Sequence, residues 1–283
     1  MFKNLCLFIA LHFLALHFHI SCFAIRPPDY VIGKLSGQTG NLCFQIATIS
    51  ALAWDHNAKA YFPDLKYYPQ DKQNLFFRCE MTPPSRVISC TFQESFPLPY
   101  KNRSCFQGFF QSENYFAHHR KQILELFAPS ESMLAYIKAN YQWIIDHPSA
   151  VGVQIRYYRR EVVEGYPQYG INYLEKAMAY FPEDTLFIVS SDNIQFAKNH
   201  TPKWAKNVYY LENESPHVEL FLLSFCKHNI ISNSTFGWWA AWLNQNEDKV
   251  VLYPAYWTEA STHYIFPVCP EKWISIEADA EDL

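Results

Sequence analysis

The chain has 283 residues, of which 49% are hydrophobic and 18% charged, so it can bury a substantial core and is not intrinsically disordered. Its 23 basic and 27 acidic side chains give a formal net charge of −4 at pH 7, which excludes the strongly basic face of a nucleic-acid-binding protein. Beyond the N-terminal segment, no apolar run is long enough to cross a bilayer.

The first 24 residues differ from the rest of the chain. Lys3 precedes an apolar run over residues 5–20, and the small residues between Ser21 and Ala24 offer a cleavage site. Three histidines interrupt the run, so a cleaved signal peptide and an uncleaved membrane anchor both stay open. Either one predicts an extracytoplasmic or membrane-associated protein, in the secretory path or Golgi if the cell is eukaryotic.

The first half of the chain predicts a strand–loop–helix unit followed by less regular structure. The alternating residues 30–35 predict a strand, and the apolar period of residues 41–56 predicts a helix. The proline-rich residues 63–99 show no period and are predicted to be irregular. The remaining elements predicted here are strands at 58–62 and 105–110 and helices at about 114–127 and 130–145.

The second half alternates regularly between strands and helices, and Pro148 marks the boundary between the halves. Such alternation predicts a parallel sheet covered by helices. We therefore predict α/β domains over residues 25–147 and 148–283 that face a cleft. The predicted strands are 150–155, 185–189, 208–211, 229–231 and 249–253, and the predicted helices are 173–180, 194–199, 217–225 and 236–244.

Two strand-to-helix junctions are candidate phosphate sites. Gly37 and Gly40 lie in the loop after the first strand, where small residues let backbone amides face a ligand, although a tight turn without a ligand fits the same spacing. Residues 232–236 join a buried strand to a helix, and open amides there would cradle a phosphate. Capping of that helix by Ser234 or Thr235 is the alternative. The three tryptophans that follow are predicted to belong to the core.

Two charged side chains follow strands directly. Arg156 stands where ligands gather in open parallel sheets, and its guanidinium can grip a diphosphate with two hydrogen bonds. Asp192 can accept the N–H groups of a guanine edge, or it can cap the helix that follows. No DxD motif lies between the strands, so a metal-bridged diphosphate is disfavoured and positive charge with helix amides must stabilise the leaving group.

The cysteines do not form a zinc motif. Six remain after residue 24, with no CxxC pair and no histidine at zinc-finger spacing, so no structural zinc is predicted. Cys43 and Cys226 lie in apolar stretches and are predicted to be buried free thiols. Cys79 and Cys90 fall in a loop-like region and are able to pair.

Five segments carry a recognisable pattern. They are residues 37–45 (GQTGNLCFQ), 106–112 (FQGFFQS), 153–156 (VQIR), 191–193 (SDN) and 219–244, which begins ELFLLSFCKHN. In the right order over residues 30–254, they resemble the α-1,2-fucosyltransferases, glycosyltransferase family 11, whose members use GDP-fucose. The family counterparts are GxxGN…F, QGYFQS, HIRRGD, SDD and a long C-terminal signature.

This resemblance implies an α/β, GT-B-like fold of two Rossmann-like domains, with the acceptor side in the first domain and the GDP-sugar in the second. It also implies inversion at the anomeric carbon, a glycan acceptor (O2 of a galactoside), and no essential metal or other cofactor. Arg156 would bind the diphosphate, and Asp192 the guanine or ribose. The donor-binding residues carried over are Gly37, Gly40, Asn41, Gln154, Arg156, Asp192, Asn233, Ser234, Thr235 and Phe236.

The chain departs from the family pattern around Arg156. The family's histidine is Gln154, its second arginine is Tyr157, and its Gly-Asp pair is Tyr158-Arg159. Inversion needs a group that accepts the proton of the acceptor hydroxyl, usually a carboxylate. Glu164 and then Glu161, just beyond Arg156, are the candidates, and a surface loop is the alternative for both.

Two other interpretations stay open. A catalytically silent descendant would bind a glycan or nucleotide without transfer, as the altered segment after Gln154 suggests, although the intact signature at residues 219–244 argues against it. An enzyme for another GDP-hexose is the second, because Tyr157 and Tyr158 would reshape the sugar pocket.

Overall fold

The strands form two separate parallel sheets in a computed structural model that describes residues 28–85, 91–158, 165–258 and 267–280. The first sheet contains β1 (Tyr30–Gly33), β2 (Lys59–Tyr61), β3 (Thr91–Gln93) and β4 (Ser104–Gln107). Its strand order is β2-β1-β4-β3. Val31 pairs with Ala60 on one side and with Ser104 on the other, so β1 is an interior strand. Its carboxyl end therefore lies near the middle of the sheet's edge.

The second sheet has six strands in the order β10-β9-β8-β5-β6-β7. Its central strand β5 is buried along its whole length, as expected for a parallel strand covered on both faces. Register places Gln154 beside Ile231 of β8 and Ile155 beside Ser191 of β6. The strands are β5 (Ala150–Ile155), β6 (Leu186–Ser191), β7 (Val208–Tyr210), β8 (His228–Ile231), β9 (Val251–Pro254) and β10 (Ile274–Ile276).

Eight α-helices lie in the described ranges, with short 3-10 turns at Pro63–Tyr67, Glu113–Tyr115 and Ala117–His119. The first half holds α1 (Thr39–Asp55), α2 (Pro69–Asn74), α3 (Arg120–Leu126) and α4 (Glu131–Ile145). The second holds α5 (Ile171–Met178), α6 (Ile194–His200), α7 (Pro216–Phe225) and α8 (Thr235–Leu243).

Helix α1 joins the two halves. Thirteen of its 17 residues are buried, because its sequence is apolar around most of the circumference. It packs against α8, where the Phe44 ring lies 4.4 Å from the Trp238 ring and 5.2 Å from the Trp239 ring. The predicted core position of the tryptophans at 238, 239 and 242 is confirmed, since each is at most 2% exposed.

Two basic side chains bond to the C-terminal end of α8, although burial lowers the pKa of Lys249 to about 7. The Lys249 ammonium donates to the carbonyls of Ala241 and Asn244, both at 2.6 Å, and the Arg120 guanidinium donates to the Trp242 carbonyl at 2.9 Å. Positive charge at this end complements the helix dipole. The N-terminal end of α8, by contrast, points to the edge of the sheet.

The structure differs from the sequence-based elements in three places. The segment 63–99, predicted to be irregular, contains α2 and β3. Phe92 of β3 stacks on Phe106 at 5.4 Å between ring centroids, so tertiary packing and not local period forms this strand. The helix predicted at 114–127 is two 3-10 turns followed by α3, and β10 adds an edge strand that was not predicted.

The leader prediction falls on residues 1–24, which lie outside the described residues. None of the helices in the described ranges has the length and apolar character that crossing a bilayer requires. Cys43 and Cys226 are buried free thiols as predicted, and burial raises the pKa of Cys226 to about 12. Cys79 is buried, while Cys90 is outside the described residues.

Candidate active site

A cavity of about 1210 Å³ lies between the carboxyl edges of the two sheets. Strands β1, β4, β5, β6 and β8 all end at it, because parallel strands bring their carboxyl ends to one edge. The cavity is lined by all ten of the predicted donor-binding residues: Gly37, Gly40, Asn41, Gln154, Arg156, Asp192, Asn233, Ser234, Thr235 and Phe236. The structure therefore brings them together, and their donor-binding role stays a prediction.

Arg156 directly follows β5, and this position at the end of a strand predicts it as the positively charged residue of the cavity. Its Nη1 lies 2.7 Å from Asp192 Oδ2, and its side chain is 27% exposed. Asp192 Oδ1 accepts the amide of Tyr157 at 2.9 Å, so the carboxylate fixes both the guanidinium and the chain beside it. The alternative that Asp192 caps α6 is wrong, because Asn193 is the cap and accepts the Phe196 amide at 3.0 Å.

Helix α8 begins at the cavity without a side-chain cap. Ser234 occupies the cap position and makes no capping hydrogen bond, so capping by Ser234 is also wrong. Ser130 caps α4 and Ser215 caps α7, whereas α2, α3 and α5 lack a side-chain cap as α8 does. The first amides of α8 consequently remain available to an anion.

Helix α1 begins beside α8 and has no side-chain cap either. The loop before it turns at Gly37, whose φ of 93° is the left-handed conformation that glycine adopts readily. A Cβ on Gly37 would lie 2.5 Å from Asn41 Nδ2. The other end of the Asn41 amide, Oδ1, accepts from Gln111 Nε2 at 3.0 Å, which ties the loop to the segment after β4.

Tyr158, one of the departures from the family pattern, builds a wall of the cavity. Its hydroxyl donates to the Asn233 carbonyl at 2.6 Å, and its amide donates to Gln168 Oε1 at 2.7 Å. Gln168 Nε2 returns a bond to the Arg156 carbonyl at 3.0 Å. The Arg156 guanidinium lies 5.5 Å from the centroid of the Tyr158 ring, within cation–π distance. Tyr158, which stands where the family pattern has a different residue, thus fixes the backbone around Arg156 through these hydrogen bonds.

Two buried acceptors on the cavity wall have no hydrogen-bond partner among the described residues. They are Gln154 Oε1 and Asn233 Oδ1, on residues that are 5% and 2% exposed. Because a buried polar atom without a partner costs free energy, such atoms are typical of sites that await a ligand donor.

Sequence reasoning missed Glu219, a half-buried carboxyl group on α7 that lines the cavity. Burial raises its pKa to about 7, with smaller contributions from the charges of Glu214 and Asp192, against a hydrogen bond from Ser190 Oγ at 2.5 Å. The signal that would have found it is its place at the head of the signature segment 219–244.

Asp71 was also missed. It lines the cavity, and its carboxylate accepts a hydrogen bond from Thr39 Oγ1 at 2.7 Å.

The predicted proton acceptors Glu161 and Glu164 lie outside the described residues, as does Arg159. Besides Asp192 and Glu219, the carboxyl groups that line the described cavity are Asp71 and Glu94.

Residues 46–277 match the family described as Glycosyl transferase family 11. The chain is 32% identical to the Escherichia coli protein named alpha-1,2-colitosyltransferase, over 61% of this chain and 62% of that protein. It is 26% identical to galactoside alpha-(1,2)-fucosyltransferase 2 of Oryctolagus cuniculus, over 86% of this chain and 75% of that protein. The chain thus spans about three fifths of the length of the bacterial relative.

The structure of an Arabidopsis thaliana FUT1 mutant in complex with GDP has a TM-score of 0.52 with this chain at 14% identity. The likeness covers 80% of this chain and 70% of that one. It confirms the predicted GT-B-like α/β fold.

Proposed function

Because this chain belongs to glycosyl transferase family 11, we propose that it transfers L-fucose from GDP-fucose to a hydroxyl group of a glycan, with O2 of a galactoside as the acceptor position. The observation that carries this proposal is that Arg156 and the uncapped start of α8 line one cavity. A guanidinium and free helix amides together are a combination that binds a diphosphate well. The relative named galactoside alpha-(1,2)-fucosyltransferase 2 supports the choice of sugar and linkage.

The donor diphosphate would lie between Arg156 and the amides of Thr235 and Phe236. Asp192 keeps the guanidinium aimed at the cavity through the 2.7 Å ion pair. The volume of about 1210 Å³ exceeds that of ordinary small-molecule pockets and leaves room for an acceptor beside the donor.

For the guanine base, Glu219 joins Asp192 as a candidate acceptor. Both oxygens of Asp192 already accept bonds, from Arg156 and from the Tyr157 amide. Glu219 Oε2 accepts from Ser190. A carboxylate accepts the ring N–H and amino group of guanine with its two oxygens, so Glu219 fits the base and Asp192 the ribose.

In the proposed reaction the acceptor oxygen attacks the anomeric carbon as the bond from that carbon to the β-phosphate oxygen breaks. The bonding electrons leave with GDP, whose new charge is stabilised by Arg156 and the α8 amides. The hydroxyl proton passes to a carboxylate, for which we propose Glu164 and, second, Glu161. Attack from the face opposite the leaving group inverts the anomeric centre, and none of these steps requires a metal ion.

Titration calorimetry with GDP and GDP-fucose in EDTA tests the donor site. We expect binding by the wild type and a loss of about 10- to 100-fold in affinity for Arg156→Ala, since charged hydrogen bonds are removed. Arg78→Ala is the matched control, because Arg78 is exposed and lies away from the residues that line the cavity, where it donates to the Ala128 carbonyl and packs over the Phe77 ring. Failure of the wild type to bind either nucleotide would refute the proposal.

The proton acceptor needs a separate test. Glu164→Gln should lower kcat by two or more orders of magnitude while leaving the affinity for GDP unchanged, since a general base acts only on the acceptor hydroxyl. Glu161→Gln provides the comparison. Donor binding without transfer to any galactoside would identify the catalytically silent alternative.

A second candidate keeps the enzyme and changes the sugar. The 32% identical relative named alpha-1,2-colitosyltransferase favours it, as do Tyr157 and Tyr158 at positions where the family pattern has other residues. Competition between GDP-fucose and GDP-colitose in one transfer assay decides between the two donors by their kcat/KM values.

A further inference from the structure

Three metal-ligating side chains meet at the end of α1 opposite the cavity. His118 Nε2 lies 3.1 Å from Asp55 Oδ2, and His119 Nε2 lies 2.7 Å from Asp55 Oδ1. Asp55 is the last residue of α1, and both histidines belong to the 3-10 turn Ala117–His119. The cluster therefore joins two elements that are 63 residues apart in the chain.

The geometry of this cluster suits one ion. One ligand atom from each residue lies within 4.8 Å of the other two. Ligands about 2.0–2.2 Å from a zinc ion stand roughly 3–3.5 Å apart, so the three atoms need to move little to share an ion. Two imidazole nitrogens with one carboxylate oxygen is a donor set for borderline divalent ions and not for Mg²⁺ or Ca²⁺.

We propose that Asp55, His118 and His119 form a binding site for a divalent transition-metal ion, with Zn²⁺ as the ion of choice and water in the remaining position. The side chains are 41%, 49% and 16% exposed, so an ion can enter from solvent without unfolding the site. His119 also packs against Trp54, with 5.3 Å between ring centroids, and this contact restricts its orientation.

The charge state of the cluster favours a cation. Although burial works against it, hydrogen bonds from His119 and His118 lower the pKa of Asp55, so the carboxylate is ionised at neutral pH.

This ion would not take part in sugar transfer. Helix α1 has 17 residues, and at 1.5 Å per residue its two ends are about 25 Å apart. Gly40 lies at the end beside the cavity and Asp55 at the other. An ion at Asp55 would instead fasten the end of α1 to the turn that leads into α3, and it would stabilise the folded chain by an amount that grows with the logarithm of the free ion concentration above Kd.

Titration of the full chain, purified without a histidine tag, with ZnCl₂ tests the site, and CoCl₂ serves as the spectroscopic probe. We expect one Zn²⁺ per chain, a rise in melting temperature on addition of Zn²⁺, and cobalt absorption bands of nitrogen–oxygen coordination. His118→Ala should weaken the affinity for Zn²⁺ at least tenfold and abolish the rise in melting temperature. Half the His118 side chain is exposed, so this variant should fold, which circular dichroism checks.

His56→Ala is the matched control, because His56 is exposed and adjacent to Asp55 but stacks on Tyr100 instead, at 4.0 Å. Its affinity for Zn²⁺ should equal that of the wild type. Asp55→Asn provides the second ligand variant and should also weaken binding. The proposal is overturned if the wild type binds no Zn²⁺, or if His118→Ala and Asp55→Asn bind it as the wild type does. GDP titration in the same samples keeps this outcome separate from that of the donor site.

Discussion

Gly40 at the start of α1 lies against Thr235 at the start of α8, so closely that a Cβ on Gly40 would come within 2.5 Å of both the Thr235 carbonyl carbon and its Oγ1. The two uncapped helix ends thus meet at a glycine. This contact sets the distance between the first half of the chain and the amides that line the cavity.

Gly40→Ala should therefore push the two helix ends apart. We expect a loss of about 1–3 kcal/mol in the free energy of unfolding from overpacking, together with weaker GDP binding because the amides of α8 shift. Urea unfolding and calorimetry on the same protein measure the two effects.

Adding Thr235→Ala to Gly40→Ala should not restore stability, because the Thr235 carbonyl carbon and the Phe236 nitrogen also lie within 2.6 Å of the added Cβ. A fully restored double variant would show that the contact is with the flexible side chain alone. A Gly40→Ala protein as stable as the wild type would contradict the packing argument.

Tyr158→Phe should separate the structural role of the Tyr158 hydroxyl from that of its ring. Losing the bond to the Asn233 carbonyl should lower the free energy of unfolding by about 1–2 kcal/mol, because that carbonyl is left buried. The ring stays beside Arg156, so GDP affinity should change by roughly threefold or less.

Thermal or urea unfolding measures the first effect and GDP titration the second. Tyr180→Phe, on a side chain that is 53% exposed, is the control and should change neither quantity. A loss of GDP binding as large as that of Arg156→Ala would mean that the hydroxyl contacts the nucleotide directly.

The cavity residues at strand ends and at strand-to-helix junctions were predictable from sequence, whereas Glu219 on α7 and Asp71 on α2 were not. Arg156 and Asp192 follow strands whose alternation with helices is visible in the sequence, and a parallel sheet must bring its carboxyl ends to one edge. Glu219 and Asp71 reach the same cavity from helices, and only the packing of α7 and α2 on the sheets decides which helix face points inward.

Local pattern also failed where tertiary contacts form the element. The short strand β3 has no apolar alternation and exists because Thr91 pairs with Cys105 and Phe92 stacks on Phe106. Whether Ser234 caps α8 was undecidable from sequence for a similar reason. A serine before a helix has the same local signature whether its hydroxyl turns to the amides or away.

Glu219→Gln should change the pH dependence of stability. Between about pH 4.5 and 7 the folded protein keeps a proton on Glu219 that the unfolded chain has lost, because the folded pKa is raised to about 7. The free energy of unfolding of the wild type therefore falls as pH rises through this window. The glutamine variant lacks this contribution, so its stability relative to the wild type should rise by at most on the order of 3 kcal/mol.

Urea unfolding of both proteins from pH 4.5 to 8 gives the difference curve. Glu247→Gln, at an exposed position, should follow the wild type throughout. Parallel curves for wild type and Glu219→Gln would show that the carboxyl group titrates normally and is not desolvated by the cavity wall.

Gln154→Met should make the protein more stable and a poorer nucleotide binder at once. Gln154 Oε1 is buried beside Gly237, whose added Cβ would lie 2.6 Å from it, and it accepts no hydrogen bond from the described residues. A buried acceptor without a hydrogen bond costs about 1 kcal/mol or more of stability, and replacing the amide by a thioether of similar shape removes this cost. If a donor group of the nucleotide sugar fills the same acceptor, affinity for GDP-fucose should fall about tenfold.

Thr185→Val is the matched control for this pair of effects. Thr185 Oγ1 is likewise buried without a partner among the described residues, but Thr185 lies immediately before β6, away from the residues that line the cavity. Thr185→Val should raise stability and leave the affinity for GDP-fucose unchanged. If Gln154→Met alone raises stability and lowers the affinity for GDP-fucose, Gln154 Oε1 accepts a hydrogen bond from the ligand. A purely structural cost would change stability without changing binding.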